Sequence, residues 1–116
     1  MAIYDNLPVY KAAYDMFQDI TLLRSQMKRE YKFTIGERLL NETIELIINI
    51  YKANRSKIKM GFIAEAQEHT EIIRLLLRLI KDIKEISLKR FVALNQKIEM
   101  VSKQLTGWMK YQKDKN

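Results

Sequence analysis

The chain has 116 residues, 47% of them hydrophobic and 30% charged, which suits one globular domain spanning 1–116. It carries 21 Lys and Arg against 14 Asp and Glu, a net charge of +7. Such an excess favours an anionic partner, either nucleic acid or an anionic membrane surface. There is no Cys and one His, with three Gly and one Pro. This excludes disulfides, a thiol nucleophile and Cys-rich or His-rich metal sites, and leaves little material for hairpins or phosphate-cradling loops.

The first residues show no basic region followed by an apolar run, so no secretory signal is expected. The most apolar stretch, residues 72–80, is broken by Arg74 and Arg78. It falls far short of the roughly 20 apolar residues of a membrane helix. A soluble, cytoplasmic protein without a membrane partner is the expectation.

Four amphipathic segments follow in order. The first, about residues 8–30, opens with Pro8, tolerated in a first helical turn because its missing N–H would be unpaired there. Tyr10, Ala13, Phe17, Ile20, Met27 and Tyr31 recur at helical spacing. The second, about residues 34–55, begins at Thr34-Ile35-Gly36-Glu37, which has the form of a capping box. Leu40, Ile44, Ile47, Ile48 and Tyr51 form its expected inner face, widened by Leu39, Leu46 and Ile50. Asn54 is the expected stop, because Asn tolerates the left-handed conformation.

A basic loop, Arg55-Ser56-Lys57-Ile58-Lys59-Met60-Gly61, precedes the third segment, about residues 61–86. Its Glu residues come early and its Arg and Lys residues late, as the helix dipole favours. Ser87 is a good N-cap for the fourth segment, about residues 87–111. Phe91, Leu94, Ile98, Val101, Leu105 and Met109 make its inner stripe, and the basic tail 112–116 is expected to fray. No strand-like alternation persists. The pattern predicts an all-α, up-down-up-down four-helix bundle.

Catalytic constellations are missing. Ala66, not Glu, stands three residues before His69, so the Glu-x-x-His motif of di-iron bundles is absent. No Arg precedes His69 within ten residues, as a helical ribonuclease would need. The serines lack a base and an oxyanion hole. No catalytic residue, metal or cofactor is expected, and His69 is read as a core or interface residue beside Ala66 and Ile73.

The third segment has two apolar stripes. At 100° per residue, Ala66, Thr70, Leu76, Leu77 and Ile80 fall within about 60° of Ile73. Ile72, Leu75, Leu79, Ile83 and Ile86 make a second stripe, of which Ile72, Leu75, Leu79 and Ile83 are the candidate oligomer interface. One helix of a monomeric bundle needs only one apolar face, although a single wide core face is the competing reading. Arg74, Arg78 and Lys81 share a third face. On the fourth segment Lys103 and Lys110 lie a heptad apart, with Lys113 close by. From Ser87 onward there are seven basic and two acidic residues, most of the surplus charge. These six side chains are the candidate nucleic-acid contacts, binding RNA or DNA through phosphates with little sequence preference.

Four blocks carry a family resemblance: Leu7-Pro8-Val9-Tyr10-Lys11-Ala12-Ala13-Tyr14, Tyr31-Lys32-Phe33-Thr34-Ile35-Gly36-Glu37, Ile50-Tyr51-Lys52-Ala53-Asn54 and Lys103-Gln104-Leu105-Thr106-Gly107-Trp108. In this order they resemble the accessory variability determinant (Avd) proteins of diversity-generating retroelements, related to the four-helix-bundle proteins of ribosomal-RNA intervening sequences. The resemblance implies a non-enzymatic partner of a retroelement reverse transcriptase. Such a protein would bind the template-repeat RNA and assemble as a ring-like homo-oligomer, typically a pentamer. Two alternatives stay open: an intervening-sequence-type protein with another role, and an unrelated helical scaffold or membrane-surface protein.

Overall fold

The computed structural model describes residues 7–115, and these contain no strand. Five helices occur in order: α1 Pro8–Gln26, α2 Arg29–Lys32, α3 Ile35–Arg55, α4 Met60–Asp82 and α5 Leu88–Lys115. Since α2 is a single turn, four long helices build the molecule, a bundle of 47 × 25 × 20 Å. Each long helix packs on its chain neighbours, and α5 returns to α1. Two pairs fix the antiparallel register of α1 and α5: Asp19 with Lys97 and Gln26 with Arg90. Arg74 with Glu99 and Lys81 over Phe91 do the same for α4 and α5.

The core is aliphatic. Met16, Ile20 and Leu23 meet Leu39, Leu46 and Ile50, Ile73, Leu77 and Ile80, and Ile98 and Leu105, all fully buried. Each large side chain contributes roughly 1.5–3 kcal/mol through burial. Thr43 and Thr70 are also buried, and their hydroxyls donate to the carbonyls of Leu39 and Ala66.

Several boundaries differ from the sequence expectation. The first helix stops at Gln26 instead of near residue 30, because Met27 turns extended with ψ 153°. Met27 tucks inward, and Lys28 donates its backbone N–H to Glu85 at 2.7 Å. Gly36 makes this approach possible. A Cβ there would lie 2.9 Å from Met27 Sδ and 3.1 Å from the Tyr31 carbonyl oxygen.

The Thr34 capping box does not form. The Thr34 hydroxyl donates back to the Glu30 carbonyl at 2.8 Å, and Glu37 pairs with Arg24. Nor does Asn54 end α3 in a left-handed conformation, since Lys84 is the only non-glycine with positive φ among the described residues. Lys59 caps α3 instead, its ammonium donating to the carbonyls of Ala53, Asn54 and Ser56.

The third long helix ends at Asp82, not 86. Glu85 N–H bonds the Ile80 carbonyl and Lys84 N–H the Lys81 carbonyl, the two bonds of a Schellman motif, with Lys84 at φ 64° in the position usually held by Gly. Ile83 is therefore a cap residue and Ile86 lies outside the helix. Finally, the tail expected to fray is helical over residues 112–115: α5 continues to Lys115, and Gln112 is buried. Ser87 caps α5 as expected, accepting the Arg90 N–H at 3.2 Å.

Candidate nucleic-acid and assembly surfaces

The six basic candidates fall into two groups with different surroundings. Arg74 lies between Glu71 of its own helix and Glu99 of α5, with Nη2 2.7 Å from the Glu99 carboxylate. Burial works against its charge, but the hydrogen bonds to Glu71 and Glu99 outweigh it and raise its pKa further. Arg74 is thus a clasp between α4 and α5, with its charge already compensated. Lys81 lays its ammonium 5.3 Å from the Phe91 ring centroid. Arg78 is the more open member, opposite Asp82 at 3.8 Å with most of its side chain in solvent. The three are brought to one side of α4, as their spacing implies.

On α5 the situation differs. Lys103, Lys110 and Lys113 are exposed, and among the described residues none lies within ion-pair distance of a carboxylate. Lys110 and Lys113 edge a shallow recess between α4 and α5 with Ala64, Gln67, Thr106, Met109 and Asp114. Asp114 is the sole acid in that lining. An uncompensated lysine line releases counterions on meeting phosphate, whereas a paired arginine must first break its own ion pairs.

The second apolar stripe on α4 is largely in solvent. Leu75 is 57%, Leu79 41% and Ile83 38% exposed, while Ile72 is half-buried. The reading of one wide core face therefore covers Ile72 alone among these four. A further apolar surface was not legible as such. The α3 face is rotated from its expected centre: Leu39, Thr43, Leu46, Ile50 and Ala53 point inward, leaving Ile44 and Ile48 exposed. On α1, Tyr10, Tyr14 and Phe17 stack in succession with centroids 6.2 and 6.3 Å apart, and Tyr14 is exposed. By helical spacing these rings share the side of α1 that carries Arg24, the residue that reaches Glu37 of α3.

His69 also has a partner that its spacing could not reveal. Its Nδ1 is 2.8 Å from Glu42 on α3, and Glu42 is held in turn by Arg38. Among the described residues no group of three His, Asp or Glu side chains could hold a metal ion. No helix there is long and apolar enough to cross a membrane.

No curated protein matches the sequence. A family model described as bAvd-like matches residues 8–112, from the first turn of α1 to the last turns of α5. The match covers nearly the whole bundle, and with the four ordered blocks in the sequence it establishes that this chain belongs to the bAvd-like family.

Proposed function

We propose that the protein is the non-enzymatic accessory subunit of a diversity-generating retroelement, binding the element's reverse transcriptase and its template-repeat RNA or the DNA copied from it. The observation that carries this reading is the family match over residues 8–112. The lysines of α5 support the RNA part: Lys103, Lys110 and Lys113 are exposed and have no carboxylate partner among the described residues. Phosphate contacts of this kind give binding with weak sequence preference and steep salt dependence.

Assembly into a ring-like homo-oligomer, with a pentamer favoured, completes the proposal. A ring closes through head-to-tail contacts, which need two different surfaces on each subunit. Exposed Leu75 and Leu79 of α4 with the cap residue Ile83, and exposed Tyr14 of α1 with Ile44 and Ile48 of α3, would supply them. The site of action in this reading is the cytoplasm.

Two measurements on the same preparation test the proposal. A gel shift of template-repeat RNA should weaken steeply as salt rises. The reverse transcriptase encoded beside this gene should co-purify with the protein. Failure of both, at low salt and with a folded protein, overturns the reading. RNA binding without the reverse transcriptase favours the intervening-sequence-type alternative.

A further inference from the structure

We propose that the last turns of α5 form a stacking site for an unpaired nucleobase, so that the protein prefers single-stranded RNA or DNA to duplex. This rests on the nucleic-acid reading above and adds a base-contacting subsite to it.

The argument begins at Gly107. A glycine inside a helix is less favourable than alanine, so its presence at an interior position needs a reason. Packing is not that reason: among the described residues, no atom beyond its chain neighbours and its own helical backbone lies within 4 Å of where its Cβ would be. The site is a bare saddle open to solvent.

What flanks the saddle gives it a use. At 100° and 1.5 Å per residue, Lys103 and Lys110 lie about 40° and 60° to one side of Gly107. Tyr111 lies about 40° and Trp108 about 100° to the other. Lys103 and Tyr111 are one turn below and one turn above. The lysine side carries no ion pair among the described residues. On the aromatic side, Tyr111 is 61% exposed, with the Lys115 ammonium 5.9 Å from its ring centroid. Trp108 edges an open apolar recess with Leu7, Pro8, Val9 and Gln104.

A line of phosphate-binding cations beside an exposed aromatic surface is the arrangement that single-strand binders use. The phosphates would follow Lys103 and Lys110, and one base would cross the saddle to lie on Tyr111 with Trp108 at its edge. The bare Gly107 backbone lets the strand approach. In a duplex the bases are stacked on each other and unavailable to Tyr111. Asp114 is the one acid in the recess edged by Lys110 and Lys113.

Trp108 is the only Trp in the chain, so its fluorescence reports on this spot directly. The full-length protein is titrated at fixed low salt with a 20-nucleotide oligouridylate, an abasic strand of equal length and a duplex. Oligouridylate should quench Trp108 and bind roughly tenfold tighter than the abasic strand. Tyr111→Ala should remove that advantage, Tyr111→Phe should keep it, and Gly107→Leu should abolish the quench while circular dichroism stays helical. Equal affinity for the oligouridylate and the abasic strand overturns the stacking site but leaves the phosphate reading standing. So does an unchanged preference in Tyr111→Ala. Absence of binding to all three probes overturns both.

Discussion

Nδ1 of His69 lies 2.8 Å from Oε1 of Glu42, joining α4 to α3 across a half-buried gap. Arg38 holds the other oxygen of Glu42 at 3.3 Å. Removing either partner leaves the other poorly solvated, at a cost of about 1–3 kcal/mol. The variants His69→Ala, Glu42→Ala and the double change should therefore not add. A coupling of about 1 kcal/mol is expected from urea unfolding. Additivity within about 0.3 kcal/mol would show that the contact does not hold the helices together.

The Schellman turn after α4 gives a second test. Lys84 occupies the left-handed region at φ 64°, where an L side chain costs roughly 1–2 kcal/mol. Gly escapes that cost but loses more freedom on folding. Lys84→Gly should stabilise the protein by a net amount of about 0.5–1 kcal/mol and raise the melting temperature by a few degrees. A fall in melting temperature would mean that the lysine makes a compensating contact.

The parts legible from the sequence were those governed by local spacing. The Ser87 cap and the Leu94, Ile98, Val101 and Leu105 stripe of α5 stand as spacing and capping chemistry imply. The failures have tertiary causes. The inner face of α3 is rotated from the one its apolar spacing predicts because Thr43 and Asn49, which are polar, lie on it and are buried. Thr43 satisfies its hydroxyl within its own helix, and Asn49 donates to the Glu45 carbonyl. The first helix is shorter than its spacing predicts because Met27 keeps apolar spacing after the backbone has already turned out. At the candidate site, spacing placed Arg74, Arg78 and Lys81 together correctly. It could not show that Glu99, 25 residues away, already occupies Arg74.

The exposed α4 stripe carries the assembly prediction. Leu75 and Leu79 are exposed and outside the core, so changing both to Glu should leave the helical content intact. Burying them in a subunit contact contributes roughly 1.5–3 kcal/mol per side chain, so the double variant should dissociate to monomers or show much weaker assembly in light scattering. Ile48→Glu tests the exposed surface of α3 in the same way. A head-to-tail ring requires both surfaces, so either variant alone should disrupt it. A monomeric unmodified protein would remove the basis of the prediction.

Comparison of two double variants decides which basic stripe meets nucleic acid. Arg74→Ala with Arg78→Ala removes two cations, but Arg74 is already balanced by Glu71 and Glu99. Its loss strips the clasp between α4 and α5 and frees two carboxylates, so the main effect should fall on stability. Because both carboxylates are more than half exposed, that effect should stay within about 1 kcal/mol. Lys103→Gln with Lys110→Gln removes two cations that have no carboxylate partner among the described residues. On single-stranded RNA each phosphate contact contributes about −0.7 to the slope of log K against log salt. The lysine variant should therefore flatten that slope by about one unit or more and weaken binding to all sequences alike. In the arginine variant the slope should change by less than half as much. The reverse ranking, with intact assembly in both variants, would move the phosphate contacts to Arg78 and its neighbours on α4. RNA affinity that survives both changes, while co-purification of the reverse transcriptase fails in the arginine variant, would assign the α4 stripe to the protein partner instead.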